Sequence, residues 1–274
     1  MKPNSTNEKE RSKAHSLYLR GLRRKKTFVT IARGAVLILF FSLWEFSARM
    51  GLIDPFIFSS PSHSLSVIWR MTADGSIWPH IGITVAETAI GFLAGTLLGI
   101  GIAVLLWYFP TAREIADPYL VVLNGLPKIA LGPVIIVWVG SGISSIVTVT
   151  LFVSVVVTVI GVLNGFTETD SEKLLLMRTF GASKSQTFAK VVFPASLPTT
   201  VAVLKINVGM TWVGVIVGEF LTSKAGIGYL IVYGGQVFRM DLVMAGVLIL
   251  CVLAGIMYYV VSATEKIISK KMAE

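Results

Sequence analysis

The chain is poor in charge. Asp, Glu, Lys and Arg make up 14% of its 274 residues, where a soluble domain carries about 25%. Its one cysteine, Cys251, lies in an apolar run, which excludes a disulfide framework and a cysteine metal cluster. The three histidines, His15, His63 and His80, are far apart and show no metal-ligand spacing. No GxxxxGK[ST] segment occurs, so the chain has no P-loop with which to cradle ATP. No Ser-His-Asp set and no paired carboxylates assemble from positions placed together, so enzymatic chemistry has no support.

Hydrocarbon fills the space. Hydrophobic residues reach 54% and the mean hydropathy is +0.77. Apolar runs of about 20 residues recur, each long enough to cross a bilayer core of about 30 Å. The expected class is an all-α membrane protein with six transmembrane helices, near residues 28–46, 81–107, 117–139, 143–163, 198–220 and 242–262. Residues 1–27 read as a basic cytoplasmic tail, disordered at its start, and residues 28–274 as the transmembrane domain. The first apolar run is too long for a signal peptide, and no small-residue cleavage site clearly follows it. Residues 62–71 place Leu65, Ile68 and Trp69 at helical spacing, as in a short helix at the membrane surface. Gly91, Gly95 and Gly99 recur every four residues, a spacing that lets another helix approach closely. Trp78, Trp107, Tyr108 and Trp138, near span ends, read as interfacial anchors.

The formal charge of +9 raises the question of nucleic acid, but its distribution is topological. With the N-terminus inside, eighteen Lys and Arg fall on the cytoplasmic side. Only Arg49, Arg70, Lys224 and Arg239 fall outside, and Lys128 and Lys205 lie within spans. That asymmetry implies a multi-pass protein of a bacterial cytoplasmic membrane with both termini inside, and no nucleic-acid partner.

One cytoplasmic interruption is too structured for a passive loop: residues 169–198, TDSEKLLLMRTFGASKSQTFAKVVFPASLP. Thr169 with Glu172, and Ser183 with Gln186, have capping-box spacing. Gly181 stands where a first short helix needs a left-handed closing residue. Pro194 and Pro198 are expected to stop a second helix and start the next span.

A second feature is the broken third span. Pro127 removes a helix hydrogen bond among Asn124, Gly125, Lys128, Gly132 and Pro133. Irregular backbone at membrane depth survives only buried in protein or beside a polar cavity, and a lysine at mid-depth costs about 2.5–3.5 kcal/mol. Asn124, Pro127 and Lys128 are therefore candidate pathway residues, with Lys128 facing an anionic solute or a partner carboxylate. The alternative is a packing kink with Lys128 paired to Glu219 or Glu87. Lys205 and Glu219 are further pathway candidates, although Lys205 could snorkel and Glu219, near the external end, could meet water or headgroups. Glu87 reads as structurally paired.

Phe180, Gly181, Ala182, Ser183, Val191, Phe193 and Pro194 resemble the EAA loop of bacterial ABC importer permeases: EAA, three residues, Gly, nine residues, I-x-L-P. Ser59 to Ser62, Gly91 with Phe92, Pro127 to Pro133, Glu219, and Gly226 to Tyr229 are similar to the nitrate/sulfonate/taurine-type branch. The resemblance covers about residues 55–250. Two positions depart from it: Leu175, Leu176 and Met177 replace Glu-Ala-Ala, and Glu87 stands where many members of that branch carry Arg. A branch taking up pyrimidine or thiamine precursors looks similar too.

The resemblance implies a MetI-like ABC importer permease fold with a cytoplasmic coupling helix. It implies two permease copies, a cytoplasmic ABC ATPase dimer and an extracytoplasmic solute-binding protein. No cofactor belongs to this chain, since the partner ATPase would bind ATP and magnesium. The expected ATPase contact comprises Leu174, Met177, Arg178, Phe180, Gly181, Ala182, Ser183 and Pro194. The expected cargo is a small anion such as a sulfonate, taurine or nitrate, or alternatively a pyrimidine-type precursor. An ion-coupled secondary transporter, using Glu87 and Glu219, is the rival class.

Overall fold

The computed structural model describes the backbone of residues 5–273. The side chains of residues 1–17, 19, 20, 23 and 264–274 lie outside the described set, and with them His15, Lys266, Lys270, Lys271 and the expected disorder at the N-terminus. The chain forms two compact units, Met1–Leu65 and Ser66–Glu274.

In the first unit, helix α1 (Ser5–Arg49) runs without a break through the boundary expected at residue 27. Its stretch Arg24–Arg49 is apolar enough to span a membrane. The four-residue α2 (Pro55–Phe58) is capped by Asp54, whose carboxylate accepts from Phe56 N at 2.8 Å. Glu45 accepts from Arg49 Nε at 2.7 Å and from Ser62 N at 3.0 Å, which fixes the chain's turn into α3 (Pro61–Ala73).

The second unit is built on α4 (Ile77–Tyr108), α7 (Ile143–Thr167) and α10 (Phe193–Thr222). Between α4 and α7 lie α5 (Pro110–Gly125), a 3₁₀ turn (Lys128–Leu131) and α6 (Gly132–Val139). The α7–α10 connection contains α8 (Ser171–Thr179), the single-turn α9 (Lys184–Thr187) and a π-helical turn (Phe188–Val192). Helices α11 (Ile227–Gln236) and α12 (Met240–Ala273) complete the chain.

Small residues set the closeness of the three central helices. A Cβ on Gly91 would lie 2.6 Å from Thr150 Cγ2, and one on Gly99 2.6 Å from Thr158 Cβ. From α10, a Cβ on Gly214 would lie 2.6 Å from the Cα of Thr150, and one on Gly218 2.9 Å from the Cα of Ile146. Without an apolar driving force in lipid, such backbone approach gains dispersion contacts and holds the helices together. The four-residue glycine spacing therefore has the close-packing role expected of it. The hydroxyls along the seam do not compete for partners. Thr88, Thr150, Thr158 and Thr211 each donate to the carbonyl four residues earlier, at 2.7–2.9 Å.

Among the described residues, five helices are long and apolar enough to cross a membrane, and the third expected span is bent. Instead of one rod over residues 117–139, Pro110–Gly125 and Lys128–Val139 meet at 87°. Leu126, just before Pro127, is extended (φ −64°, ψ 140°), because the proline ring disfavours helical backbone in its predecessor. Counting the bent pair as one span gives six. Pro118, by contrast, sits inside α5 without ending it.

The prolines after the polar stretch correct a second expectation. Pro194 and Pro198 do not stop a helix, since helical backbone continues from Lys184 to Thr222. Phe193 N bonds Phe188 O, one residue further back than in an α-helix. That π turn sits immediately before Pro194, where a proline ring would otherwise press on the carbonyl four residues back.

Candidate functional site

The polar stretch folds as a rigid unit. Asp170, not Thr169, caps α8, accepting from Glu172 N at 2.9 Å. Thr169 is buried, so the expected box with Glu172 is replaced by its neighbour's carboxylate. At the other end Gly181 takes φ +69°. Its N–H donates to Arg178 O at 2.9 Å, and Ala182 N donates to Met177 O at 3.0 Å, the paired bonds of a Schellman closure. The second box is present as expected: Ser183 Oγ accepts from Gln186 N at 3.2 Å and Gln186 Oε1 from Ser183 N at 2.8 Å.

Two contacts that span-end reading missed mount this unit on the helix bundle. Lys184 Nζ donates to Tyr108 O, at the end of α4, at 2.5 Å and stands 5.6 Å from the Trp107 ring centre. A cation there meets the negative end of the helix dipole. The ring of Phe188, in the π turn, lies tilted 4.9 Å from Trp107 and 5.6 Å from Tyr108 and edge-on 5.2 Å from Phe166, centre to centre. Trp107 and Tyr108 are thus parts of an aromatic joint, whatever they also offer the interface. The i, i+4 spacing of Lys184 and Phe188 put both on one helix face, the one local signal for this joint.

The joint divides the apolar residues of the stretch. Leu174 packs on the buried cluster of Val162, Phe166 and Val192, and Met177 is half-buried. Leu175, Leu176 and Phe180 point away, 61%, 53% and 75% exposed. Arg178, Gly181 and Ser183 are exposed beside them, Ala182 is half-buried, and Pro194 opens α10. The free apolar face is therefore Leu175, Leu176 and Phe180 rather than Leu174 and Met177.

In the bent segment, Asn124 lies in the last turn of α5 and Lys128 opens the 3₁₀ turn, with Lys128 Nζ 3.5 Å from Asn124 Oδ1. No ion pair joins Lys128 to an acid among the described residues. Pairing with Glu219 or Glu87 is thus corrected, because those two acids are engaged elsewhere. Lys205 is half-buried within α10, about 21 Å along the helix from Glu219. The structure sets Asn124, Pro127 and Lys128 along one short bend, with Glu219 engaged elsewhere by Thr84 and the start of α11.

Glu219 faces neither water nor headgroups: it is 1% exposed. Its carboxylate accepts from Thr84 Oγ1 at 2.6 Å, Gly228 N at 2.6 Å and Tyr229 N at 3.4 Å. Thr84 Oγ1 in turn accepts from Ile227 N at 2.8 Å, and His80 Nδ1 lies 3.1 Å from Gly226 N. Together these bonds tie the first amides of α11 to α4 and α10, a helix start satisfied by side chains. Gly226 at φ +111° and Gly228 leave the room that the carboxylate fills.

Residues 95–274 match the family model described as the binding-protein-dependent transport system inner membrane component. The chain belongs to that family. The permease is 29% identical over 217 residues to a probable ABC transporter permease protein of Haemophilus influenzae, covering 79% of this chain and 88% of the relative. It is 24% identical to a taurine transport system permease protein of Escherichia coli, covering 88% and 90%. It is 28% identical to a formylaminopyrimidine transport permease protein of Halalkalibacterium halodurans, covering 75% and 81%. Among solved structures, the permease fold matches a chain of the methionine ABC transporter MetNI in an inward-facing conformation. The TM-score is 0.60 at 18% identity, covering 70% of this chain and 94% of that one. A bacterial ABC transporter involved in alginate import gives 0.62 at 14% identity, covering 88% and 96%. The permease is a transport component of ABC type with multiple membrane spans.

Proposed function

We propose that this permease is the membrane subunit of an ATP-driven importer for a small anionic solute of the sulfonate, taurine or nitrate kind. Two permease copies form the pathway, a cytoplasmic ATPase dimer holds ATP and magnesium, and an extracytoplasmic binding protein delivers the cargo. One observation carries the reading. A helix with an outward apolar face, Leu175, Leu176 and Phe180, is mounted on a joint that continues as unbroken helix from Lys184 to Thr222. An apolar helical face flanked by Arg178 and Lys184 suits docking into a groove of a partner protein. ATP-driven approach of the two ATPases would then move α8 and α10 as one body, a two-state change biased by contacts made in one state only.

The test is uptake into vesicles holding the permease with its ATPase and binding protein. Gly181→Asp places a carboxylate and a strained backbone at the docking face, and is expected to keep permease yield and ATP hydrolysis while uptake is lost. Normal uptake by this variant refutes the coupling role.

The anionic cargo rests on Lys128, whose ammonium has only an amide oxygen nearby. Such a cation at membrane depth needs an anion or a water-filled path. Lys128→Ala is expected to lower uptake at unchanged protein level, and unchanged transport would return Lys128 to packing. The similar identities to taurine and formylaminopyrimidine permeases support a pyrimidine precursor as a second reading. Thermal shifts of the cognate binding protein with taurine, alkanesulfonates, nitrate and pyrimidines separate the two. Glu87 does not bear on that choice, because at 3% exposure it lies inside the helix bundle.

A further inference from the structure

Glu87 and Glu219 are the two acids buried among the described residues, and they meet each other. Neither forms an ion pair. The hydrogen-bond inventory of the two carboxyls is unequal. Gly228 N and Tyr229 N are backbone amides, which only donate, so Glu219 Oε2 is an unprotonated acceptor. Thr84 Oγ1 accepts from Ile227 N and has its hydroxyl hydrogen left for Glu219 Oε1. Glu219 is thus an acceptor at both oxygens, the pattern of a carboxylate. Glu87 has no donor of its own to receive: its Oε2 has no partner, and its one polar contact is Glu219. Two carboxylates cannot share a hydrogen bond without a proton, and two adjoining buried carboxyls do not both ionise.

We propose that Glu87 is a proton-binding site inside the helix bundle, a neutral carboxylic acid whose O–H is donated to the Glu219 carboxylate. The proton fastens α4 to the start of α11 through Glu219 and is a fixed part of the permease. The surrounding elements offer no substitute cation. Helix α7 has no ionisable residue, and α10 contributes only Lys205, about four turns away. Helix α11 contributes Tyr229 and Tyr233, and Asp241 of α12 is paired with Arg239. On α4 itself the nearest titratable group is His80, whose Nδ1 is taken by Gly226. Glu87 acts through Glu219 as a positioning residue. The inference stands whichever solute the pathway takes.

Infrared spectroscopy of the full-length permease in lipid vesicles at neutral pH tests it. The spectrum should contain the C=O stretch of a protonated carboxylic acid, which moves on exchange into D₂O. Glu87→Gln should remove the band while keeping the melting temperature, because the amide N–H donates to Glu219 in place of the acid. Glu87→Asp should move the band, since the protonated group is then an aspartic acid. A wild-type spectrum without the band overturns the assignment by itself, even where a variant fails to fold. A band unchanged in either folded variant also overturns it, since the proton would then sit elsewhere.

Discussion

Two glycines of one short helix separate room from backbone freedom. A Cβ on Gly228 would lie 2.8 Å from Glu219 Oε2 and 2.9 Å from Glu219 Cβ. Gly228→Ala therefore pushes on a carboxylate that holds two amides and a threonine, and nearby atoms must move. We expect the overpacking to cost about 1–3 kcal/mol, read as a lower melting temperature of the purified permease. Gly235, the last residue but one of α11, has open space around the same atom and no positive φ. Gly235→Ala should be neutral or stabilising by up to about 1 kcal/mol, through the lower entropy of its unfolded chain. Equal melting temperatures for the two variants would remove the steric account of the Glu219 site. Gly181 is the opposite case, with nothing near its missing Cβ but φ at +69°. There any residue with a Cβ is strained by about 1–2 kcal/mol, so part of any Gly181→Asp effect is backbone cost. Gly181→Ala carries that cost without the charge and isolates it.

At the scale of elements, Phe188 is the pivot of the segment between α7 and α10. Its ring touches Trp107, Tyr108, Phe166 and Phe193 from the π turn. Buried Phe→Ala substitutions cost about 3–5 kcal/mol, and a half-buried ring should fall at or below the lower end. Phe188→Ala is expected to speed proteolysis at residues 171–187 before the rest of the chain is cut. A digestion pattern like that of the parent would mean that Lys184 and Leu174 hold the segment without the ring. What was legible in the sequence here was local. Ser183 with Gln186, and Gly181 before them, announce themselves because their bonds span three to five residues. Thr169 was the expected cap, but it is buried and the adjacent Asp170 takes the role. The π turn was not legible, since a proline preceded by an accommodating register shift looks the same in sequence as a proline that ends a helix. The joint of Phe188 with Trp107, and the meeting of Glu87 with Glu219, join residues far apart in the chain, and no local spacing signals either.

For the whole molecule, the three-helix seam makes the two ends one mechanical object. Helix α10 follows Lys184 and the π turn at one end and carries Glu219 at the other, and α4 meets both, through Tyr108 and through Thr84. A displacement at α8 is transmitted only as far as the seam stays closed, because interdigitated helices resist continuous deformation. Gly95 is the place to open it. A Cβ there would collide with Ser154 Oγ and would lie 3.3 Å from Ser154 Cβ. Gly95→Ala should cost about 1–3 kcal/mol by overpacking. Ser154 Oγ is buried and has no hydrogen-bond partner, so Ser154→Ala removes an unsatisfied group and should be neutral or stabilising. The double variant lacks the oxygen that obstructs the new methyl, and should regain most of the stability lost by Gly95→Ala. The cycle is closed by melting temperatures in one detergent, with a coupling of about 0.5–3 kcal/mol expected for residues in contact. Additive effects would mean that α4 and α7 part locally instead of packing as one seam. Coupling between α8 and the far turn would then have to run through α10 alone.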